Sequence, residues 1–179
     1  MPQTEARKTL KDAPVMWRRV NSIGIILDCN STYAANLGYV KSEILGKSIF
    51  EHVPKDTWED MNDSLKIWFE TGKVTDRKIT FKKQDGKTFS GLLQATSLYD
   101  ENKNLLGSNT VIFDLAQMSD EKIKEYEAFF KESNAKLHEI KEKEYSQLDK
   151  NSKSEYDGLK KMFEMLSSVN FNEINKMII

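Results

Sequence analysis

The sequence predicts an α+β fold, a five-stranded antiparallel sheet with helices on one face, followed by a C-terminal helical arm. Strand-like runs open and close the segment 15–117 and helix-like runs lie between them, an order that is typical of α+β domains. All three prolines and seven of the eight glycines lie in residues 1–117. The 62 residues that follow hold 24 charged side chains and no proline, and long helices exclude proline.

Composition divides the chain into three parts. Residues 1–14 form a short helix or a frayed segment that ends at Pro14, residues 15–117 form the mixed domain, and residues 118–179 form the arm. The net charge is −1, and no basic stripe indicates a nucleic-acid partner. No apolar run approaches the roughly 20 residues that span a bilayer. The N-terminus is polar and has no signal-peptide pattern, so we expect a cytoplasmic protein without a membrane partner.

Five β-prone runs separated by turn residues predict the strands: 15–20, 24–29, 74–83, 87–99 and 105–115. Three polar turns join neighbouring strands, at Asn21-Ser22, at Asp85-Gly86 and at residues 100–104. These turns make the first two strands a hairpin and the last three a meander.

Short helices are predicted between the second and third strands. Asn30-Ser31 caps the first helix, which Gly38 ends after Leu37. Ser42 is the expected cap of the second helix, and residues 48–53 form a third helical turn.

A longer helix is predicted over residues 56–71, with Asp56 as its cap and Glu59 as the capping-box partner. Its apolar residues recur with the helical period and define one face: Trp58, Met61, Leu65, Trp68 and Phe69. Thr71-Gly72 ends this helix.

Six short motifs occur in one order along the mixed domain: Gly24-Ile25-Ile26 with Asn30, Leu37-Gly38-Tyr39 with Glu43-Ile44-Leu45-Gly46-Lys47, His52-Val53-Pro54-Lys55-Asp56, the hairpin 82–89, the turn 100–107, and Phe113-Asp114-Leu115. Through these motifs the chain resembles the PAS family of sensor domains over residues 15–115. The resemblance implies strand order 2-1-5-4-3 and a small cavity between helices and sheet. It also implies a sensor or dimerisation module of signal transduction, as in two-component systems, rather than an enzyme.

The cofactors of this family are disfavoured by comparison of individual positions. Flavin-binding members carry a reactive cysteine on a central helix, whereas the single cysteine here, Cys29, lies on the second strand and reads as a small buried residue. Oxygen-sensing haem members use a histidine on the long helix, and residues 56–71 contain none. Met61 lies near that position but on the apolar face, so a core role is favoured. His52 is interpreted as structural or exposed.

A ligand pocket is the expected sensory site if the core contains a cavity. The resemblance and the apolar pattern place these residues on its walls: Tyr33, Asn36, Leu37, Ile44, Phe50, Trp58, Met61, Leu65, Trp68, Ile79, Gln94, Asn109, Val111 and Phe113. The alternative is that the same residues fill a packed core, because an apolar set does not distinguish the two.

A signal relay is expected where the last strand meets the arm. Asp114 stands at this junction, and we predict that it pairs with Arg18 or Arg19 on the first strand. The alternative is an exposed acid that contributes under about 1 kcal/mol to stability.

The arm shows a weak heptad pattern from Ile123, with Ile123, Phe130, Leu137 and Glu144 at a and Tyr126, Ser133, Ile140 and Gln147 at d. This seam favours a coiled coil and a homodimer through sheet and arm. A break is predicted at 149–154, followed by a stronger apolar stripe from Leu159 to Val169. The arm is expected to dock on the sheet, on itself or on another chain.

Three functions follow from these patterns. The first is a cytoplasmic sensor that binds a small ligand or partner in its core and passes the change through the last strand to the arm, towards a downstream signalling protein. The alternative is a ligand-free dimerisation adaptor. The least favoured is a histidine-kinase fragment, because His138-Glu139 lacks the proline that usually follows such a phosphoacceptor.

Overall fold

The computed structural model describes residues 9–178, so most of the predicted N-terminal segment 1–14 lies outside the described residues. Its sheet contains five strands: β1 (Met16–Asn21), β2 (Ile26–Cys29), β3 (Lys73–Lys82), β4 (Thr88–Tyr99) and β5 (Leu105–Asp114). The order is β2-β1-β5-β4-β3 and every neighbouring pair is antiparallel, which confirms the predicted fold and strand order. β1 and β5 therefore lie side by side at the centre.

Helices between β2 and β3 cover one face of the sheet. These helices are α2 (Ser31–Leu37), α3 (Lys41–Ile44), two 3-10 turns (Ile49–His52 and Lys55–Thr57) and α4 (Trp58–Thr71). A separate helix, α1, precedes β1 and is described over residues 9–11. Asn30 caps α2 by accepting a hydrogen bond from the Tyr33 amide, and Gly38 ends it in the left-handed conformation, both as predicted.

Two predicted caps are wrong. Ser42 lies inside α3, and the Glu43 carboxylate instead accepts a hydrogen bond from the amide of Val40. Asp56 lies in the 3-10 turn that precedes α4, so the long helix begins at Trp58 without a side-chain cap. At α4 the preceding 3-10 turn already satisfies the first amide, since the Trp58 amide donates to the Lys55 carbonyl.

The arm consists of α5 (Asp120–His138), α6 (Glu142–Ser146), α7 (Lys150–Ser167) and α8 (Phe171–Ile178). α5 and α7 pack antiparallel: Phe129 contacts Phe163, and further along α5 the Leu137 carbonyl accepts a hydrogen bond from the hydroxyl of Tyr156, which lies earlier in α7. The predicted break at 149–154 is wrong, because Asp149 caps α7 and the helix runs through these residues. The actual break lies between α5 and α7, around α6.

The three inner strands of the sheet, β1, β5 and β4, are buried on both faces. The face under α2 and α4, here called the pocket face, holds a core that includes Met16, Val20, Leu93 and Ile112. The opposite face, here called the arm face, holds a second core whose sheet residues are Trp17, Leu92, Val111 and Phe113, and whose arm residues include Ile123, Phe130, Leu159, Phe163 and Ile174. The arm thus docks on the sheet of its own chain, one of the three expected positions.

The predicted coiled-coil seam is used inside the chain. Its a and d residues as far as Leu137 are the buried residues of α5: Ile123, Tyr126, Phe130, Ser133 and Leu137. They face the sheet and the other arm helices, because the same heptad spacing also suits packing within a helical hairpin.

Candidate functional site

A buried arginine is the most unusual feature of the pocket face. Strand alternation turns Arg18 of β1 towards α2, where its side chain is only 1% exposed. Its Nη1 donates a hydrogen bond to the Tyr33 hydroxyl at 3.0 Å. Its guanidinium lies 5.7 Å from the Tyr33 ring centre and 5.8 Å from that of Phe81. Its Nε has no hydrogen-bond partner, and no carboxylate among the described residues forms an ion pair with Arg18.

Tyr33 links this arginine to a buried histidine. The Tyr33 hydroxyl lies 2.9 Å from Nδ1 of His52, which is 2% exposed, so the tyrosine can accept from Arg18 and donate to the imidazole. Burial, together with the positive charges of Arg18 and Lys82, lowers the pKa of His52 to about 4. Burial also raises the pKa of Tyr33. At neutral pH both partners are therefore uncharged, and the network contains one net positive charge.

A small cavity of about 30 Å³ adjoins Arg18. Most of its wall is apolar, from residues of α4 and the central strands such as Met61, Trp68 and Leu93. Three hydroxyl residues complete it: Ser64 of α4 and Ser108 and Thr110 of β5. This combination of apolar wall, hydroxyls and one cation is the composition of a small polar-ligand site.

Ten of the fourteen predicted pocket residues lie on the pocket side of the sheet and divide into three groups. Met61, Leu65 and Trp68 line the cavity. Tyr33, Leu37, Ile44 and Ile79 belong to the surrounding core without lining it. The remaining helical residues lie further out: Asn36 donates to the Thr32 carbonyl, and Phe50 packs against the partly exposed Trp58.

Four predicted pocket residues lie on the wrong face of the sheet. Gln94, Asn109, Val111 and Phe113 belong to the arm face, where Val111 and Phe113 pack against the arm and Gln94 hydrogen-bonds with Asp76. Successive side chains of a strand alternate between the two faces of the sheet. A one-residue error in the predicted facing of a strand therefore assigns its side chains to the wrong face. The cavity residues that sequence reasoning missed, Ser108 and Thr110, lie beside them on β5.

A second polar cluster ties β1 to the arm. Asn109 Oδ1 accepts hydrogen bonds from Arg19 Nε at 3.2 Å and from Trp17 Nε1 at 3.3 Å. Arg19 Nη1 lies 3.7 Å from Oε1 of Glu155 on α7, and both side chains are only 10% exposed. At Gly158, α7 approaches the sheet so closely that an added Cβ would lie 2.5 Å from Leu98.

The predicted pairing of Asp114 with an arginine is wrong. In the antiparallel register Arg18 lies opposite Thr110 and Arg19 opposite Asn109, too far along β5 to reach Asp114. The Asp114 carboxylate instead accepts a hydrogen bond from the Ala116 amide at 3.0 Å and caps the 3-10 turn Leu115–Gln117. Burial raises the pKa of Asp114, against the lowering effect of that hydrogen bond.

The other chemically notable side chains are engaged in structure. Cys29 is buried, and burial raises the pKa of its thiol to about 11, which disfavours a reactive thiolate. Nδ1 of His138 contacts the Asn134 carbonyl and Nε2 contacts Glu164, each at 2.7 Å, so this side chain joins α5 to α7. Over residues 9–178 no group of three potential metal ligands comes together, and none of the helices described there could cross a membrane.

Comparison with known families and structures adds independent findings. The family model described as the PAS fold matches residues 4–114, more than half of the chain. A PAS-domain crystal structure from Colwellia psychrerythraea is 22% identical, with a TM-score of 0.57 over 62% of this chain and 94% of that one. The PAS domain of a LuxR-family transcriptional regulator from Burkholderia thailandensis, solved in complex with ethanol, is 20% identical, with a TM-score of 0.53 over 62% and 96%.

A light-oxygen-voltage domain studied with a flavin analogue is 23% identical, with a TM-score of 0.53 over 72% of this chain and 93% of that one. At these identities the structural likeness concerns the fold alone. The comparison with curated protein sequences gave no match.

Proposed function

The chain belongs to the PAS-domain family, and from that premise we propose that it is a sensory module whose own C-terminal arm reports the state of the pocket face. The family supports a sensory or signalling role in general. The arm is the proposed output element because it covers the sheet face opposite the helices that enclose the cavity.

One observation carries this proposal: two consecutive residues of β1 make polar contacts on opposite faces of the sheet. Arg18 reaches Tyr33 beside the cavity, and Arg19 reaches Asn109 and Glu155 of the arm contact. A strand is stiff along its backbone, and close-packed interiors transmit small displacements. A shift of β1 caused by an event at Arg18 therefore alters the position of the Arg19 side chain under α7.

Amide hydrogen exchange tests this coupling directly. Arg18→Met removes the charge while keeping a long, apolar side chain, and should speed exchange in the first half of α7, residues 150–158, at least about fivefold, equivalent to roughly 1 kcal/mol of local stability. The matched control is Arg77→Met on β3, the edge strand farthest from β2 across the sheet. Arg77 is partly exposed and pairs with Asp63 rather than with the arm.

Exchange rates are compared as ratios to those of the β5 amides, which removes the effect of global unfolding. If Arg18→Met leaves the ratio for residues 150–158 at the wild-type value, the pocket face and the arm are not coupled and the proposed relay is incorrect.

The same proposal makes the chain a non-catalytic cytoplasmic protein that acts through a partner and does not bind nucleic acid. Regulation by contact suits an arm whose outer surface is mostly charged.

A ligand-free adaptor is the second candidate, favoured by an open groove of about 590 Å³ between α5 and the end of α7. Apolar side chains such as Phe130, Leu166 and Phe171 line this groove. Light scattering coupled to size exclusion would favour the adaptor if the protein is a dimer whose arm exchange does not respond to Arg18→Met.

A further inference from the structure

We propose that the cavity beside Arg18 binds a small carboxylate, of which formate and acetate are the simplest members. This inference rests on the proposed sensory function and names the ligand class of its pocket. Three properties of the cavity lead to it: the uncompensated charge, the free hydrogen-bond donor, and the size and polarity of the remaining wall.

The charge is the first property. A buried guanidinium without an anionic partner is costly, and buried charges in proteins are normally paired. Among the described residues, the polar neighbours of Arg18 include Tyr33, His52, the Cys29 thiol and the three hydroxyl residues of the cavity, none of which is an anion at neutral pH. An anion in the adjoining cavity would supply the missing counter-charge.

The free donor is the second property. Nη1 of Arg18 is occupied by Tyr33, whereas Nε has no acceptor in the described structure. Arginine presents its donors in a planar fork that matches the two oxygens of a carboxylate. The aromatic contacts with Tyr33 and Phe81 explain how the chain holds the guanidinium in place, but they leave the Nε–H without a partner.

The size and wall of the cavity are the third property. One water needs roughly 10–15 Å³ of such space, so a cavity of about 30 Å³ suits a molecule of about two to four non-hydrogen atoms. Ser64, Ser108 and Thr110 can donate to the oxygens, while Met61 and Leu93 offer an apolar surface to a hydrogen or methyl group. Larger acids and dianions are excluded by volume and by the single positive charge.

The first experiment observes the Nε–H group of Arg18 itself. In the full chain, its ¹H–¹⁵N resonance is assigned by connection to the Arg18 backbone and followed during titration with sodium formate and sodium acetate at pH 7 and constant ionic strength. We expect a saturable downfield shift with both carboxylates, because the proton gains a charged acceptor. Acetamide, which is neutral and almost the same shape as acetate, should leave the resonance unmoved.

A matched pair of variants tests the hydroxyl wall. Thr110→Val removes a hydroxyl from the cavity at nearly constant volume and should weaken acetate binding by about tenfold, since a hydrogen bond to a charged group is lost. Thr96→Val makes the same change at a buried β4 threonine that does not line the cavity, and should leave acetate binding at the wild-type level. Both affinities are measured by the same Nε titration.

Two results would overturn the inference. One is the absence of a saturable shift with either carboxylate. The other is an equal shift with nitrate or with the chloride used to set the ionic strength, which would assign the cavity to inorganic anions. Amide hydrogen exchange of the arm in the Arg18→Met variant distinguishes failure of the carboxylate inference from failure of the proposed function. If acetate binds but arm exchange is unaffected by both acetate and Arg18→Met, the ligand class stands and the relay to the arm does not.

Discussion

Replacing Gly158 should weaken the contact between α7 and the sheet. An added Cβ at this position would lie 2.5 Å from Cδ1 of Leu98 and 3.3 Å from Nδ2 of Asn109. The first distance is shorter than carbon atoms tolerate without movement, and Leu98 is itself buried on β4. Alanine can be accepted only if Leu98 changes its side-chain position or the helix moves away from the sheet.

Two opposing terms set the expected magnitude. In a helix that does not touch the sheet, Gly→Ala stabilises by about 1 kcal/mol through helix propensity. In the docked helix, overpacking costs about 1–3 kcal/mol and offsets that gain. We therefore expect Gly158→Ala to change the free energy of unfolding by between about zero and 2 kcal/mol in the destabilising direction. Gly158→Val, which has a smaller propensity gain and a larger overlap, should destabilise more.

The assay is urea unfolding of the single variants and of Gly158→Ala combined with Leu98→Ala. Since Leu98→Ala removes the atom that the new Cβ would meet, the double variant should show a favourable coupling energy of about 1 kcal/mol or more. The docked geometry is refuted if Gly158→Ala alone stabilises by close to 1 kcal/mol and the coupling with Leu98→Ala is near zero.

Three further predictions test the two faces and their junction. The pKa of His52 is about 4 in the folded state and about 6.5 in the unfolded state, so the unfolded state binds more protons between these pH values. The free energy of unfolding should therefore fall by about 3 kcal/mol as pH decreases from 6.5 to 4. In urea unfolding across this range, His52→Gln should flatten that dependence, and an unchanged slope would contradict the burial of a neutral His52. Glu155→Gln should lower the free energy of unfolding by about 1–3 kcal/mol, because its ion pair with Arg19 is nearly buried. Glu164→Gln, whose pair with His138 is half-exposed, should cost under about 1 kcal/mol in the same assay. Gly107→Ala should abolish or severely reduce folding, measured by circular dichroism, because its Cβ would lie 1.8 Å from a β1 carbonyl oxygen; native-like stability would show that β1 and β5 do not approach as described.

Local sequence signals predicted the elements of the fold well. Helix α2 is an example: Asn30 caps it and Gly38 adopts the left-handed conformation after it, because both residues act through contacts within a few positions. Failures occurred where a nearby residue competed for the same role. Ser42 has the side chain of a cap, but Glu43 satisfies the helix start from inside the first turn.

Local signals could not predict on which face of the sheet each side chain of the central strands lies. On β5 every residue from Gly107 to Asp114 is buried, so the strand lacks the alternation of apolar and polar residues that identifies a solvent face. Val111 and Ile112 are equally apolar, and only the long-range register shows that Val111 faces the arm and Ile112 the pocket. Arg18 was missed as a pocket residue for a related reason. Arg18 and Arg19 are adjacent, and only the pairing of β1 decides which of the two side chains lies on the pocket face.

The energetics of docking limit what a ligand in the pocket could do to the arm. Aromatic rings join the arm to β5 through Phe113, Tyr126, Phe130 and Phe171, with centres 5.2–6.4 Å apart. Each fully buried ring contributes about 1.5–3 kcal/mol, whereas a ligand at 100 times its Kd supplies only about 2.7 kcal/mol in total. A small ligand therefore cannot release the whole arm. Its effect must fall on a smaller part of the arm, namely α6, which has no buried residue, and the part of α7 that Glu155 joins to Arg19. This is why the exchange experiment is directed at residues 150–158 rather than at the aromatic end of the arm.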